Sequence, residues 1–192
     1  TKNAPSPALA SGKEARTLQI GIMLEGQLGL NWQRWEKILR AAEDFGYHHV
    51  FRSDHYVEPQ GPDQDSLELW VSLTYAASQT KRIEFGSMVT PVTFRHPAMN
   101  ARMAAQVDNL SGGRLVLGLG AGWNQREHHN YSIPFYDTST RFEMLEDALE
   151  IATRLFNDAE PIEYAGRHFS LHNAVLLPRP ERVGGPPLLI GG

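Results

Sequence analysis

Two adjacent residues, Asp54 and His55, are the sharpest candidates for chemistry in the sequence. They follow a short segment, residues 47–52, that has the pattern of a β-strand. An imidazole titrates near neutral pH, so His55 is suited to proton transfer, and the neighbouring carboxylate could raise its basicity or contact a ligand itself. The alternative is structural, with a loop histidine beside an aspartate that caps a helix.

A glycine-rich run, Gly118-Leu119-Gly120-Ala121-Gly122, is the second candidate. It is similar to a dinucleotide-binding fingerprint, but its pattern is GxGxG and not GxGxxG, and it lies on the fourth predicted strand and not the first. No helix is predicted directly after it. We therefore expect tight backbone packing here and no phosphate binding, with a flat ligand ring passing close by because glycine leaves room.

Two histidine pairs, His48-His49 and His128-His129, raise the question of a metal site. Adjacent side chains point to opposite faces of a strand and diverge on a helix, so neither pair chelates a metal by itself. We predict no metal site.

The segments that must position these residues alternate between strand and helix patterns. Predicted strands cover 17–24, 47–52, 82–89, 115–122 and 186–192, and predicted helices cover 31–45, 66–79, 97–110 and 139–156, with a loop at 123–137 and a short hairpin insertion at about 160–177. Asn31 and Ser66 are the expected N-caps of the first two helices, and Trp32 and Trp35 are expected in the core. This order predicts a parallel sheet, either open and doubly wound or closed as a (β/α)8 barrel, and ligands bind at the carboxyl ends of the strands in both.

The amino-acid composition excludes several classes of function. The 192 residues carry a net charge of −4, a hydrophobic fraction of 41% and no cysteine. The acidic balance excludes a basic nucleic-acid-binding protein, and no apolar run approaches the length of about 18 residues that a membrane span needs. The lack of cysteine excludes disulfides, thiolate metal sites and cysteine nucleophiles, and it fits a cytoplasmic location. Residues 1–16 are small, polar and proline-rich, and we predict a flexible N-terminal tail there.

Several segments together resemble the luciferase-like monooxygenase superfamily, and within it the coenzyme F420-dependent oxidoreductases. They occur in that family's order and spacing across residues 18–192: GIMLEGQ (21–27), FRSDHYVEP (51–59), FGSMVTPVTFRHPA (85–98), VDNLSGGRLVLGLGAGWNQREH (107–128), RFEMLEDALEI (141–151) and PPLLIGG (186–192). The resemblance implies an α/β fold, a (β/α)8 TIM barrel of the bacterial-luciferase type, of which residues 17–192 would form the N-terminal part with about five of the eight strands. Whole members of that family are longer, so this chain alone is expected to bind a cofactor weakly or not at all.

The resemblance implies hydride transfer between coenzyme F420 and an unidentified small organic substrate. Two alternatives stay open: an FMN-dependent monooxygenase on the same barrel, and a non-catalytic cofactor-binding protein or half-barrel. His55 would transfer a proton, and Asp54 would contact the cofactor ring or orient His55. Members of the family are often homodimers, which makes a homodimer one option here.

The resemblance also assigns a set of cofactor-binding residues. They would wall the ring or face its ring or tail, and they are Ser87, Met88, Thr90, Gly120, Ala121, Gly122, Trp123 and Asn124. A non-proline cis peptide bond, which many members have after the third strand, is expected at Ser87-Met88. Some sugar-oxidising relatives carry a carboxylate near position 123, so Trp123 argues against a sugar-phosphate substrate.

Overall fold

A computed structural model describes residues 18–191 of the chain, and in it strands and helices alternate. The elements are β1 (Gly21–Leu24), α1 (Trp32–Asp44), β2 (His49–Arg52), α2 (Leu69–Gln79), β3 (Glu84–Ser87), β4 (Thr90–Pro91), α3 (Pro97–Ser111), β5 (Leu115–Gly120), α4 (Gln125–Asn130), α5 (Thr138–Asn157), β6 (Ile162–Ala165), β7 (Ser170–Ala174) and β8 (Leu188–Gly191). The predicted tail at 1–16 lies outside the described residues.

The main sheet is parallel throughout. β1 pairs with β2, β2 with β3 and β3 with β5, while β8 pairs with the other side of β5. All six residues of β5 are buried, which agrees with the nearly continuous apolar and glycine sequence of a strand covered on both faces. Within residues 18–191, β1 and β8 each have one sheet neighbour, so the sheet is open and has the form of part of a barrel.

Helix α1 begins and ends at the residues that its sequence predicts. The Asn31 side chain accepts a hydrogen bond from the Arg34 amide at 3.1 Å, and Gly46 follows the helix with a φ of 79°. Trp35 is buried as expected, but Trp32 is half-exposed and packs against the Tyr75 ring. The expectation of two core tryptophans was therefore wrong for Trp32, because the buried face of α1 is defined by Trp35 and the residues one turn later.

Helix α2 starts later than predicted. Its N-cap is Glu68, whose carboxylate accepts from the Val71 amide at 2.7 Å. Ser66 is not the cap because its hydroxyl donates to the backbone oxygen of His55 at 2.6 Å. The predicted cap therefore holds the loop that carries His55.

The third predicted strand and the loop at 123–137 also differ from expectation. Of the strand predicted at 82–89, only β3 forms, and the two-residue strand β4 follows in what was predicted as loop. The non-proline cis peptide bond between them is Met88–Val89, not Ser87–Met88, one residue later than counting back from Thr90 placed it. The loop contains the short helix α4, which is too short and too polar to show helical periodicity.

Two further features complete the fold. Strands β6 and β7 form an antiparallel hairpin, and the Asp147 carboxylate on α5 holds it by accepting from the Tyr164 hydroxyl at 2.8 Å and the His168 amide at 2.8 Å. In residues 18–191, no helix has both the length and the apolar character that a membrane crossing would need.

Candidate active site

A cavity of about 630 Å³ opens at the carboxyl ends of the parallel strands. This volume lies in the usual range for small-molecule sites, about 300–1,000 Å³. The residues predicted for the site that line it are His55, Met88, Gly120, Ala121, Gly122 and Trp123. Ligand sites in parallel α/β folds form at this end of the sheet because the loops that follow the strands meet there.

The other four predicted residues do not line the cavity but support its wall. The Thr90 hydroxyl donates to the Asp54 carboxylate at 2.6 Å, and the Arg95 guanidinium donates to the same oxygen at 2.5 Å. Ser87 exchanges hydrogen bonds with the backbone of Gly118 at 2.8 and 2.9 Å. All of these side chains are buried except that of Arg95, which is only slightly exposed.

Asn124, the fourth of these residues, is buried as well. Its amide donates to the Val57 backbone oxygen at 3.2 Å and so connects the start of α4 to the loop after β2. Its contribution to the cavity is therefore the position of that loop, which carries His55.

His55 is oriented by Glu127, not by Asp54. Its Nδ1 lies 2.8 Å from Glu127 Oε1, and the second carboxylate oxygen accepts from the Tyr56 amide at 3.0 Å. Glu127 is fully buried, while the side chain of His55 remains 13% exposed. A carboxylate accepts hydrogen bonds, so Nδ1 carries the proton, and Nε2 is the ring nitrogen left for the cavity. The expected orienting role of Asp54 is corrected by this geometry, because the Asp54 carboxylate is engaged by Thr90 and Arg95.

The electrostatic environment of His55 favours its charged form. Burial lowers the pKa of His55, but the hydrogen bond and the negative charge of Glu127 act in the opposite direction. Glu25 and Asp54 add smaller contributions of the same sign as Glu127. The net result is a pKa above the usual histidine value of about 6.5, so the imidazolium persists further into the neutral pH range.

Glu127 received no role from its sequence context. It lies in a polar stretch that reads as a loop, where a glutamate is usually solvated. The one signal in the sequence is that Glu127 follows the fourth predicted strand, at the carboxyl end of the sheet; its place in α4, where it is buried with His128, is seen only in the structure. A fully buried carboxylate needs a partner, and His55 provides one.

The glycine run packs closely, as its sequence predicts. A Cβ atom at Gly118 would lie 2.1 Å from the Ser87 backbone oxygen, and one at Gly120 would lie 2.5 Å from a methyl group of Val89. Gly122 has a φ of 81°, which residues with side chains rarely adopt. The run therefore allows β5 and the segment after β3 to approach closely and leaves backbone as part of the cavity wall.

The guanidinium of Arg141 forms another part of the cavity wall. The buried Arg141, on α5, donates from Nε to the Gly122 backbone oxygen at 3.0 Å and from its other nitrogens to Tyr136 O and Thr138 Oγ1. It also lies over the Phe135 ring at 4.4 Å from the ring centre. All of these partners are neutral, so the positive charge of Arg141 is available to an anionic group in the cavity.

The described part of the chain contains no group of three or more histidine, aspartate or glutamate side chains that could hold a metal ion. The buried His128 uses both ring nitrogens in the fold: Nδ1 with Asn124 O at 2.8 Å and Nε2 with Thr93 Oγ1 at 2.7 Å.

Comparisons with known proteins agree with this fold. A family model described as luciferase-like monooxygenase matches residues 16–192. The chain is 34% identical over 162 residues to a 4-hydroxyprotoasukamycin monooxygenase of Streptomyces nodosus subsp. asukaensis, which covers 84% of this chain and 42% of that protein. It is 31% identical over 153 residues to an F420-dependent glucose-6-phosphate dehydrogenase of Kineococcus radiotolerans, which covers 76% of this chain and 45% of that protein.

Among solved structures, an F420-dependent secondary alcohol dehydrogenase in complex with an F420–acetone adduct superposes with a TM-score of 0.79. The sequence identity is 24%, and the match covers 91% of this chain and 52% of that one, so it supports the fold alone. The chain spans less than half the length of the two relatives named above. The match of the family model to nearly all of its sequence shows that the chain belongs to the luciferase-like monooxygenase family.

Proposed function

We propose that this protein is an oxidoreductase that transfers hydride between coenzyme F420 and a small organic substrate, with His55 as the group that transfers the proton. The observation that carries the proposal is the pair of His55 and the buried Glu127 at the edge of the cavity. Reduction of a carbonyl by hydride needs a proton donor beside the acceptor oxygen. A histidine whose charged form is stabilised by a buried carboxylate can act as that donor.

The cavity wall fits a flat aromatic cofactor. Met88, Val89 and Ala121 supply apolar surface, and the backbone of Gly120 and Gly122 allows close approach. Arg141 is a suitable partner for a phosphate on the cofactor's tail, because its hydrogen-bond partners are neutral. When bound, a deazaflavin supplies a hydride donor or acceptor, which none of the side chains of this cavity can do.

His55 then has a defined task at Nε2. In the direction of substrate reduction, the imidazolium would donate its Nε2 proton to the substrate oxygen as negative charge develops there. Glu127 would hold the Nδ1 proton in place and stabilise the charged ring throughout. In the reverse direction the neutral ring would accept a proton from an alcohol.

A network of hydrogen bonds supports the cavity wall. Asp54 binds Thr90 and Arg95, and Arg95 also donates to Glu68 Oε1 at 2.6 Å and to the Tyr56 hydroxyl at 3.0 Å. The network connects the loop after β2 to the segment after β3. It would fix the distance between the proton donor and the cofactor ring, on which productive transfer depends.

The test uses the whole protein and its His55→Ala variant, with F420 for binding and reduced F420 as the hydride donor for turnover. F420 binding, followed by the change in its fluorescence, should be unchanged within about twofold, while turnover with a panel of ketones should fall by a factor of about 100 or more. His172→Ala is the matched control, because the side chain of His172 is 82% exposed on the hairpin. Normal turnover by His55→Ala would remove His55 from the mechanism.

An FMN-dependent monooxygenase is the second candidate, favoured by the identity of 34% to a protein named as a monooxygenase. Incubation of the protein with reduced F420 or reduced FMN under air separates the two, because reduced flavins activate oxygen and reduced deazaflavins do so poorly. Oxygen uptake that depends on FMN and substrate would favour this candidate. Cofactor binding without turnover in either case would favour a non-catalytic binding protein.

A further inference from the structure

We infer that the substrate of this site is an uncharged, planar aromatic or conjugated carbonyl compound that lies against the indole of Trp123 with its carbonyl oxygen at His55. The inference rests on the proposed function, because it uses His55 as the proton donor. It adds the chemical class of the substrate and assigns Trp123 to the substrate side of the cavity.

The first observation is the exposure and position of Trp123. This side chain lines the cavity but is 62% exposed. Its ring lies 5.3 Å from the His55 ring, centre to centre, at an angle of 73°. An indole that stays open beside a reactive imidazole offers a flat apolar surface to whatever the imidazole acts on.

The second observation is that Phe142 is another exposed aromatic side chain of the same cavity. It also lines the cavity and is 49% exposed. Two large aromatic side chains at one cavity, each about half open, favour a ligand with π-faces over an aliphatic one of the same size, because aromatic pairs interact beyond simple burial of area.

The third observation is the sign of the charges. The carboxylates of Glu25 and Glu58 line the cavity, and the buried Glu127 lies behind His55. Glu25 is close enough to contribute to the raised pKa of His55. The one guanidinium of the lining, Arg141, donates to the Gly122 backbone oxygen. The three carboxylates outnumber the two positive groups, His55 and Arg141, so a negative substrate would meet a net negative charge and a neutral carbonyl compound is favoured.

The experiment compares three probe ligands on the F420-loaded protein: acetophenone, cyclohexyl methyl ketone of similar size without an aromatic ring, and the anion benzoylformate. Dissociation constants come from saturation-transfer NMR. Acetophenone should bind at least about fivefold more tightly than cyclohexyl methyl ketone, and benzoylformate should bind at least about tenfold more weakly than acetophenone.

Three variants locate the effect. Trp123→Leu should reduce the preference for acetophenone to less than about twofold, and Trp123→Phe should keep most of it. Trp32→Leu is the matched control, because Trp32 is a half-exposed tryptophan that does not line the cavity and its removal should change nothing. Circular dichroism checks that each variant is folded, and F420 affinity is measured separately for each.

The outcomes separate this inference from the proposed function. If F420 binds but the two ketones bind equally, or if Trp123→Leu keeps the preference, the inference is overturned and the proposed function stands. If Trp123→Leu weakens F420 more than it weakens acetophenone, Trp123 belongs to the cofactor and the inference is overturned as well. If the wild-type protein does not bind F420, the proposed function fails and the inference fails with it.

Discussion

The two ends of the parallel sheet each contain a histidine paired with a glutamate, in opposite settings. At the amino end, His49 Nε2 lies 3.0 Å from Glu84 Oε2, and Arg182 also binds Glu84 at 2.5 Å. Both side chains of this pair are partly exposed, at 20% and 38%. At the carboxyl end, Glu127 is completely buried and serves His55 and the Tyr56 amide.

Arginines show the same contrast. At the amino end of the sheet, Arg82, Arg114 and Arg179 donate to backbone oxygens at the C-terminal ends of α1, α2 and α5. Helices leave several carbonyls without partners there, and a guanidinium can satisfy two or three of them together. At the carboxyl end, Arg141 binds neutral partners and faces a cavity.

The comparison shows how the fold separates stability from function. At the amino end, these arginines are bonded to backbone oxygens of the fold, and the His49–Glu84 pair is partly exposed to water. At the carboxyl end, a few groups are fixed on one side only: His55 at Nδ1, with Nε2 open, and Arg141 at its carbonyl partners. Groups held on one side and open on the other are what a binding site needs.

The largest expected effect is a loss of stability from a substitution at the amino end of the sheet. Arg114→Met removes donors from the backbone oxygens of Ala77, Thr80, Ser111 and Ile83 and from the Thr80 hydroxyl. Buried acceptors that lose their donor are costly, so the free energy of unfolding should fall by about 3–5 kcal/mol, measured by urea denaturation. Turnover by the remaining folded protein should stay within about twofold of wild type, because Arg114 is at the opposite end from the cavity.

Arg40→Met is the control for that variant. The side chain of Arg40 is 70% exposed and pairs with Glu36 one turn earlier in α1. Its removal should cost less than about 0.5 kcal/mol. Equal losses for Arg40→Met and Arg114→Met would contradict the view that the amino end is held by arginine–carbonyl contacts.

The second prediction breaks the carboxyl-end pair and leaves the shape of the side chain unchanged. Glu127→Gln removes the charge that holds the Nδ1 proton of His55, so turnover should fall by about 10–100-fold. The pKa of His55 should also fall, so the pH above which substrate reduction slows should move to a lower value. The pH profile of turnover distinguishes this positioning role from a loss of folded protein.

Glu84→Gln is the matched control at the amino end, because it makes the same chemical change in the other pair. It should leave both turnover and its pH profile within about twofold of wild type, since Glu84 has no part in the cavity. Equal loss of turnover in the two variants would show that the effect comes from general destabilisation and not from the orientation of His55.

Much of the fold could be predicted from the sequence, because apolar periodicity and caps report on local structure. The Asn31 cap and the apolar run of β5 are examples. The start of α2 was wrong because Ser66 binds the distant backbone of His55, and α4 was missed because six polar residues carry no periodic signal. Contacts between segments far apart in the chain decide such details, and local patterns do not contain them.

Only the residues of the candidate site that lie at predicted strand ends or in recognisable motifs could be predicted from the sequence. The strand ends and motifs placed His55 and Trp123 at one end of the sheet, and both line the cavity. The partner of His55 could not be predicted, because Glu127 is 72 residues away and the nearer Asp54 looked sufficient. Asp54 in fact binds Arg95, which shows that sequence adjacency is a poor guide to which carboxylate meets a histidine.

The smallest expected effect is a pH dependence of stability that only the carboxyl-end pair produces. The pKa of His55 is raised in the folded state, so its contribution to stability is complete below the unfolded value of about 6.5 and is lost as the pH rises through the higher folded value. Urea denaturation between about pH 6 and pH 9 should show the free energy of unfolding falling over this window. Glu127→Gln should abolish the fall, because burial then opposes the charged ring without its partner, whereas Glu84→Gln should retain it. A pH dependence that is the same in wild type and Glu127→Gln would mean that other groups control it and that the buried pair does not stabilise the imidazolium.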